Sequence, residues 1–332
     1  MFKENSTIMS VSKHSFSIFS RDIFLTFANL VNGILITRFL GPEFFGYWMI
    51  LILIPTYIEA FGRTKIDIAA VFFISKDQSN QYSILNTLNS FGLLFSIIIL
   101  LLILLFFNSL YDLIFNDLNY DLKSFTLLIL LQVPAQVLYL NYSYYFLAIE
   151  KIRTYNLMVI VKALTYTLLL IIFFILDFGL FGVVLSFIIS TFLGFLYGFF
   201  LSDINKFRII FNYNDFIKLF SYAINFYISG LLSHFNEFGS RTIAVFLVSP
   251  VYVGFFGLSQ SLVKIINRVN DAINQILYSR ISKLKKKSAT NLALKSFRIA
   301  FVILFISCLI FMIFIDLLIT VMYGTDYFDS IL

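Results

Sequence analysis

Long apolar segments separated by short polar connections make up most of this chain. Each segment approaches the roughly 20 residues that one helix needs to cross the hydrocarbon core of a bilayer. Nine such segments can be counted, at residues 23–39, 44–61, 84–107, 125–147, 156–176, 180–201, 216–247, 252–273 and 292–320. They are too long and too continuously apolar for the alternating strands of a membrane β-barrel. The pattern therefore predicts an all-α polytopic membrane protein.

A polar-tipped turn between the first two segments has a similar counterpart late in the chain. Residues 39–47, FLGPEFFGY, align with residues 247–255, LVSPVYVGF. The identical positions are Pro42 and Pro250, and Gly46 and Gly254. The chain has only 4 prolines, and two of them occupy this one aligned position. Coincidence in an apolar sequence is the alternative, but the match favours an internal repeat of the kind from which many transporters are built.

The repeat predicts two pseudo-symmetric helix bundles. Residues 1–205 would form an N-terminal bundle of six helices, and residues 206–332 a partial C-terminal bundle of three. A polar connection at residues 202–215 would join them. Because a second bundle matching the first would have six helices, we expect the chain to be a fragment or a naturally shortened copy. The alternative is that nine helices are the complete design.

Two prolines fall within predicted helices. Pro55 and Pro134 each lack the amide hydrogen that would bond to the residue four positions earlier. We therefore expect a kink in each helix.

Composition supports insertion in a membrane. The chain is 60% hydrophobic and 13% charged, with a mean hydropathy of +0.92, whereas soluble domains carry about 25% charged residues. With the amino terminus in the cytoplasm, all but three of the 24 Lys and Arg residues fall on the inner side. The three exceptions are Arg38, Lys123 and Arg241. This distribution follows the positive-inside rule.

A second inner connection, at residues 274–287, combines apolar residues at helical spacing with a run of lysines. It has two interpretations. It could be a helix lying on an anionic leaflet, or only the basic end of the eighth helix.

Motifs for catalysis are missing. The sequence has no GxxxxGK[ST] phosphate loop. The two histidines, His14 and His234, are far apart, and neither has a second ligand at metal spacing. No arrangement suggests a nucleophile. We therefore predict no catalytic residues, no metal and no cofactor, and a protein that is not an enzyme.

The best cluster of polar residues lies in the seventh predicted helix. His234, Glu237 and Arg241 are spaced three and four residues apart and share one face. Charges at membrane depth usually face a polar cavity or a partner. Glu237 and Arg241 could be a self-neutralised pair, or the face could line a central cavity where Arg241 holds an anion. A third alternative places Arg241 at the outer interface.

Other polar residues extend this picture. In the repeat alignment, Asn29 and Asn32 of the first helix correspond to Glu237 and Ser240, which fits two polar stripes facing a space between the bundles. Lys264 and Arg268 follow on the eighth helix. They could reach the inner interface as long basic side chains often do, or line the inner half of the cavity.

Three segments of the sequence resemble those of a known protein family. The segment RFLGPEFFGYW at residues 38–48, its counterpart before GFFGLSQSL at 254–262, and the ending LITVMYGTDYFDSIL at 318–332 resemble the polysaccharide-biosynthesis transporter family. Its members include the Wzx-type O-antigen and capsule flippases of the multidrug/oligosaccharidyl-lipid/polysaccharide exporter superfamily. Members usually have twelve or more helices, so this sequence would lack the final three.

The resemblance implies a flippase in the bacterial inner membrane that moves an undecaprenyl-diphosphate-linked oligosaccharide between leaflets by alternating access. The substrate would be an O-antigen, capsule or exopolysaccharide unit, and glycan polymerase and chain-length proteins are potential partners. Arg241 would hold the diphosphate or an acidic sugar, Lys264 and Arg268 would attract it, and His234 or Glu237 would couple transport to an ion. The alternatives are a cation-coupled multidrug antiporter of the same superfamily and, less well supported, a membrane-embedded polysaccharide polymerase or ligase.

Overall fold

The structure is a computed structural model that describes residues 2–62, 64–115, 120–203, 208–264 and 286–331. All regular secondary structure within these ranges is helical, which confirms the predicted all-α fold. The α-helices are α1 (Phe2–Leu51), α2 (Leu53–Gly62), α3 (Ile66–Lys76), α4 (Gln81–Leu105), α5 (Phe107–Phe115), α6 (Lys123–Leu130), α7 (Gln132–Ala148), α8 (Ile152–Ile175), α9 (Gly179–Leu201), α10 (Tyr213–Leu247), α11 (250–264) and α12 (Lys286–Met322).

Within the described ranges, 7 helical segments are long and apolar enough to cross a membrane. They are Ser17–Gly62, Gln78–Leu105, Lys123–Ala148, Ile152–Ile175, Gly179–Leu201, Tyr213–Leu247 and Ala300–Met322. The first, of 46 residues, contains the first two predicted segments. The predicted eighth segment runs past residue 264 and so lies partly outside the described residues. The protein is a multi-pass membrane protein, and the count of nine helices stays a prediction.

The turn between the first two predicted segments is a sharp break within α1. Gly41 has φ 72° and ψ 173°, far from helical values, and Pro42 follows it directly. A positive φ is readily adopted by glycine, and proline is well suited to begin the next helix. The Gly-Pro pair thus reverses the chain with a single non-helical residue.

Helix interruptions also occur near the two other prolines discussed above. Regular helix is broken at Ile52 and at Leu131, three residues before Pro55 and Pro134 respectively. Each proline removes the bond to the carbonyl four residues earlier and crowds that carbonyl. The helix is thus interrupted close to each proline for which a kink is predicted.

The short helix α3 was not predicted from the sequence, which treats this stretch as an inner connection. At 11 residues it is too short to span a bilayer. Its apolar side chains nevertheless join a buried core with α4, α7, α8 and α10. Tyr222 of α10 stacks on Phe72 of α3 with ring centroids 4.8 Å apart. This packing holds α3 against α10.

The chain forms two compact units, Met1–Val253 and Gly254–Leu332. In the second unit, α12 is followed by a 3-10 helix, Thr325–Ile331, whose Tyr327 is buried and packs edge-on against Phe255 with centroids 5.9 Å apart. The division into bundles at residues 1–205 and 206–332 concerns the internal repeat and stays a prediction.

Candidate functional site

The first unit contains a cavity between α2 and α10. Its volume is about 210 Å³, and its lining combines a carboxylate, a lysine, a histidine and an aromatic ring with small residues. The lining residues are Thr56, Glu59, Ala60, Lys65, Gly230, His234 and Phe238. Ionisable groups at this depth are costly in a bilayer and usually mark a functional site. The cavity is therefore the candidate site.

The two walls of the cavity are held together by contacts on both sides of it. Toward one end, the Tyr227 hydroxyl donates to the carbonyl oxygen of Phe61 at 3.1 Å. Toward the other end, the hydroxyls of Tyr57 and Thr242 are 2.7 Å apart. The helices α2 and α10 therefore run antiparallel, with the cavity between these two bonds.

Lys65 reaches the cavity because of an unusual backbone conformation. It is the residue before α3 and has φ 57° and ψ 22°, in the left-handed region. Its aliphatic stem lies against Gly230 of α10, where an added β-carbon would overlap Cε of the lysine. The glycine leaves room for the lysine side chain to cross α10, and the ammonium group thereby joins the lining.

His234 is enclosed by aromatic rings. Its ring lies edge-on to Tyr57, with centroids 4.8 Å apart, and 4.7 Å from the ring of Phe238. Its Nε2 is buried and has no hydrogen-bond partner among the described residues. The prediction placed His234 on a polar face of this helix, and the structure puts it in the cavity wall.

Glu59 is held from behind by a relay of side chains. Gln136 of α7 donates from Nε2 to Oε2 of Glu59 at 3.2 Å. Lys162 of α8 donates from Nζ to Oε1 of the same glutamine at 2.7 Å. A cation and a carboxylate are thus joined through one amide, and charge-assisted bonds of this kind are stronger than neutral ones.

The relay continues into a polar network shared by α7, α8 and α9. Gln132 donates to the Gln136 Oε1 and to the Thr191 Oγ1, both at 3.3 Å. The Lys162 Nζ lies 4.5 Å from the ring centroid of Tyr139, where a cation is attracted to the ring face. The network fixes the side of the cavity that bears Glu59.

Lys162, which the charge distribution groups with the inner basic residues, lies well inside α8. Because α8 begins at Ile152, Lys162 lies about 15 Å along the helix axis, at 1.5 Å per residue. It is therefore inside the membrane-spanning segment Ile152–Ile175.

Arg241, the predicted anion ligand, lies beside the cavity and does not line it. Its side chain is 5% exposed. Its Nη1 lies 3.6 Å from Sδ of Met49. Its guanidinium carbon is 5.9 Å from the ring centroid of Phe238, a residue that does line the cavity. Glu237, one turn earlier, is exposed. The roles assigned to Arg241 and Glu237 stay predictions.

The other predicted residues are dispersed. Asn29 is exposed, whereas Asn32 is buried and accepts a 2.7 Å hydrogen bond from Thr167 of α8. That bond gives Asn32 a place in the packing of α1 on α8. Lys264 is exposed in the second unit, and Arg268 lies outside the described residues. Their binding roles also stay predictions.

Sequence reasoning missed Glu59 and Lys65 as site residues. Glu59 lies near the end of the second apolar segment, and Arg63, four residues later, lies outside the described residues. Lys65 was counted only as an inner-loop charge. The sequence feature that indicates these two residues is a carboxylate inside an apolar segment with a lysine shortly after it. Among the described residues, no group of three or more His, Cys, Asp or Glu could hold a metal ion.

Comparison with known proteins gives a family and a fold. Residues 35–332 match the family model described as polysaccharide biosynthesis protein. No curated protein matches the sequence.

Several solved structures are similar. An inward-facing multidrug resistance MATE family transporter of the MOP superfamily has a TM-score of 0.72 at 14% identity, covering 92% of this chain and 75% of that one. An outward-facing MATE family structure has a TM-score of 0.64 at 14% identity, covering 97% and 76%. A MOP superfamily transporter from Pyrococcus furiosus, described as having a binding pocket of reverse polarity, has a TM-score of 0.55 at 14% identity with the same coverage. The structure shares the fold of these transporters.

Proposed function

This chain belongs to the polysaccharide biosynthesis protein family, and we propose that it moves a lipid-linked oligosaccharide across the membrane without catalysing a reaction. The proposed substrate is an undecaprenyl-diphosphate-linked O-antigen, capsule or exopolysaccharide unit, carried from the inner to the outer leaflet of a bacterial inner membrane. The observation that carries the proposal is the polar cavity between α2 and α10, with Lys65 and His234 in its lining.

The chemistry of the cavity suits the head of such a substrate. A diphosphate and several sugars cannot enter hydrocarbon without compensation for their lost hydration. Lys65 supplies a cation for the diphosphate, and His234 supplies a ring nitrogen that has no partner among the described residues. Phe238 offers an aromatic face on which a sugar ring can pack. Arg241, next to Phe238, could join the site after a modest movement, with its planar fork matched to phosphate.

The cavity volume points to a conformational cycle. At about 210 Å³ it is smaller than the roughly 300–1,000 Å³ of typical ligand pockets. It has room for part of a head group and not for an entire oligosaccharide. Alternating access, in which helices around the cavity separate on one side and then the other, would widen it during transport.

A deletion strain complemented with the full-length gene tests the proposal. We expect Lys65→Ala to lower surface glycan at least about tenfold, because a charge-assisted contact is worth roughly 1.5–3 kcal/mol. Lipid-linked oligosaccharide should accumulate on the inner leaflet. Lys76→Ala, at the exposed far end of the same helix α3, is the matched control and should behave as wild type. If the two variants carry the same amount of surface glycan, Lys65 is not part of the proposed site.

A cation-coupled multidrug antiporter is the second candidate, and the cavity carboxylate Glu59 favours it. Glu59→Gln separates the two candidates, since it removes the charge and keeps an oxygen that can accept from Gln136. An antiporter that binds its cation at Glu59 would lose drug efflux. A flippase that holds the diphosphate through Lys65 and His234 would keep most of its glycan export. Lost efflux with normal glycan would favour the antiporter.

A further inference from the structure

The two segments with similar sequences meet in space, at Gly46 of the first and Pro250 of the second. A β-carbon built on Gly46 would overlap the carbonyl oxygen of Pro250, and its next neighbours would be other backbone atoms of the same proline. This is contact of backbone with backbone. Because no side chain is involved on the Pro250 side, rotation of a side chain could not make room for a larger residue at position 46.

The backbone around Pro250 has little freedom to adjust. Pro250 is the first residue of α11, a position that suits its fixed φ. Val248, the residue after the end of α10, has an extended backbone with φ −136° and ψ 160°. On the other side, Gly46 lies in the helical arm of α1 that follows the break at Gly41. The contact thus joins two rigid helix ends.

Two further contacts lie between this point and the cavity. Arg241 contacts Met49, and Tyr57 is hydrogen-bonded to Thr242. With the Gly46–Pro250 contact they form a series along α10 and the start of α11, all on the same side of the cavity. The distribution of Lys and Arg predicts that this side faces outward.

We propose that the contact of Gly46 with Pro250 is a seal that closes the cavity toward the outside and must separate for a transported molecule to leave. The proposal rests on the proposed transport function for its purpose, but the closure itself is a property of the fold. A glycine is required because any side chain at position 46 would hold the two helix ends apart. The seal has two positions, closed as seen here and open when α10 moves away.

Site-specific labelling tests the seal without knowledge of the substrate. In a background where the single cysteine is removed by Cys308→Ser, Ala60→Cys places a thiol in the cavity lining. A membrane-impermeant maleimide is added from outside, to spheroplasts if the protein is in an inner membrane. We expect Gly46→Leu to raise labelling several-fold and Gly46→Ala to raise it by a smaller factor.

The controls are glycines of α1 and α10 that have open space around them. Gly33 of α1 and Gly239 of α10 have no atom within 4 Å of an added β-carbon, so Gly33→Leu and Gly239→Leu should leave labelling unchanged. Unchanged labelling in a membrane-inserted Gly46→Leu protein would overturn the proposal, as would an equal rise in the control variants.

A second measurement keeps the native glycine and so does not depend on the folding of a variant at position 46. Tyr57→Cys and Thr242→Cys are joined by a methanethiosulfonate cross-linker, which dithiothreitol cleaves. Because this reagent would also modify a cysteine at position 60, the cross-linked protein keeps Ala60 and carries only the pair of cysteines. The cross-link should stop glycan export until it is cleaved, and a reagent with a single methanethiosulfonate group should leave export unchanged. Raised labelling in Gly46→Leu together with normal export from the cross-linked protein would retain the closure and count against the proposed function.

Discussion

Lys162 and Gln136 are joined by a 2.7 Å hydrogen bond inside the membrane-spanning part of the first unit. The same amide donates to Glu59, so a lysine of α8 acts on a carboxylate of α2 through a side chain of α7. Such a relay orients the carboxylate toward the cavity. It also supplies positive charge close to an anion that the bilayer would otherwise disfavour.

Replacing Lys162 tests the relay. Lys162→Met should lower the free energy of unfolding by roughly 1–3 kcal/mol, because it removes the charged donor to the Gln136 oxygen and the positive charge that the relay brings near Glu59. Thermal unfolding of the detergent-purified protein measures the loss. Lys151→Met, at the exposed start of α8, should change stability by less than about 0.5 kcal/mol.

The relay also predicts coupling between its ends. The double variant Lys162→Met with Glu59→Gln should lose less free energy of unfolding than the two single variants lose together. The reason is that the carboxylate charge, which needs the lysine, is gone. If the losses in the two single variants add up to the loss in the double variant, the lysine acts only through local packing.

Gly230 gives a test of the Lys65 position. Gly230→Leu should push the lysine stem out of the cavity and reduce surface glycan about as much as Lys65→Ala does. Gly230→Ala should have a smaller effect, because the overlapping atom is near the flexible end of a lysine. Gly239→Leu, on the same helix with open space around it, is the control and should retain export. Full export in Gly230→Leu would show that Lys65 is not needed in the cavity.

Arg241 tests whether the cavity wall rearranges during transport. Arg241→Ala should abolish surface glycan while membrane insertion is intact, and Arg241→Lys should restore only part of it, because lysine lacks the planar fork that binds phosphate with two bonds. Quantification of surface glycan and of membrane-inserted protein provides the measurement. Normal glycan in Arg241→Ala would limit the residue to its packing against Met49.

Tyr111, outside the membrane-spanning segments, predicts a change in stability at high pH. Partial burial raises the pKa of this tyrosine, and its hydrogen bond to Asp121 also raises it, while the hydrogen bond from the Leu122 amide opposes the rise. Its neutral form is therefore favoured in the folded state. The resulting stabilisation is complete below the ordinary pKa near 10 and is lost as pH rises through the higher folded value. Unfolding curves above pH 10 should show this loss, and Tyr111→Phe should reduce it.

Local features of the fold could be predicted from the sequence, and features that depend on packing could not. The break at Gly41 and the interruptions near Pro55 and Pro134 follow from the chemistry of single residues. The apolar segments follow from bilayer thickness. In contrast, α3 is too short to be recognised by length, and its buried face becomes apparent only when α7 and α10 pack on it.

The site was predicted in part for the same reason. His234 was identified because it shares a helix face with two charges, and it does line the cavity. Glu59, Gln136 and Lys162 come from three helices, and no spacing within one segment could bring them together. Lys65 depends on a left-handed backbone at the start of α3, which is uncommon for lysine.

The single non-helical residue at Gly41 also determines how the helices on either side of it can move. Two helices joined by so short a bend cannot slide far past each other at the bend, so the tips of the two legs move together. Asn32 ties one leg of this hairpin to α8, while the other leg carries Gly46 near its tip and Glu59 toward its base. The interruption at Ile52 lies between Gly46 and Glu59, so the tip of this leg can bend away from its neighbours while Glu59 stays bonded to Gln136.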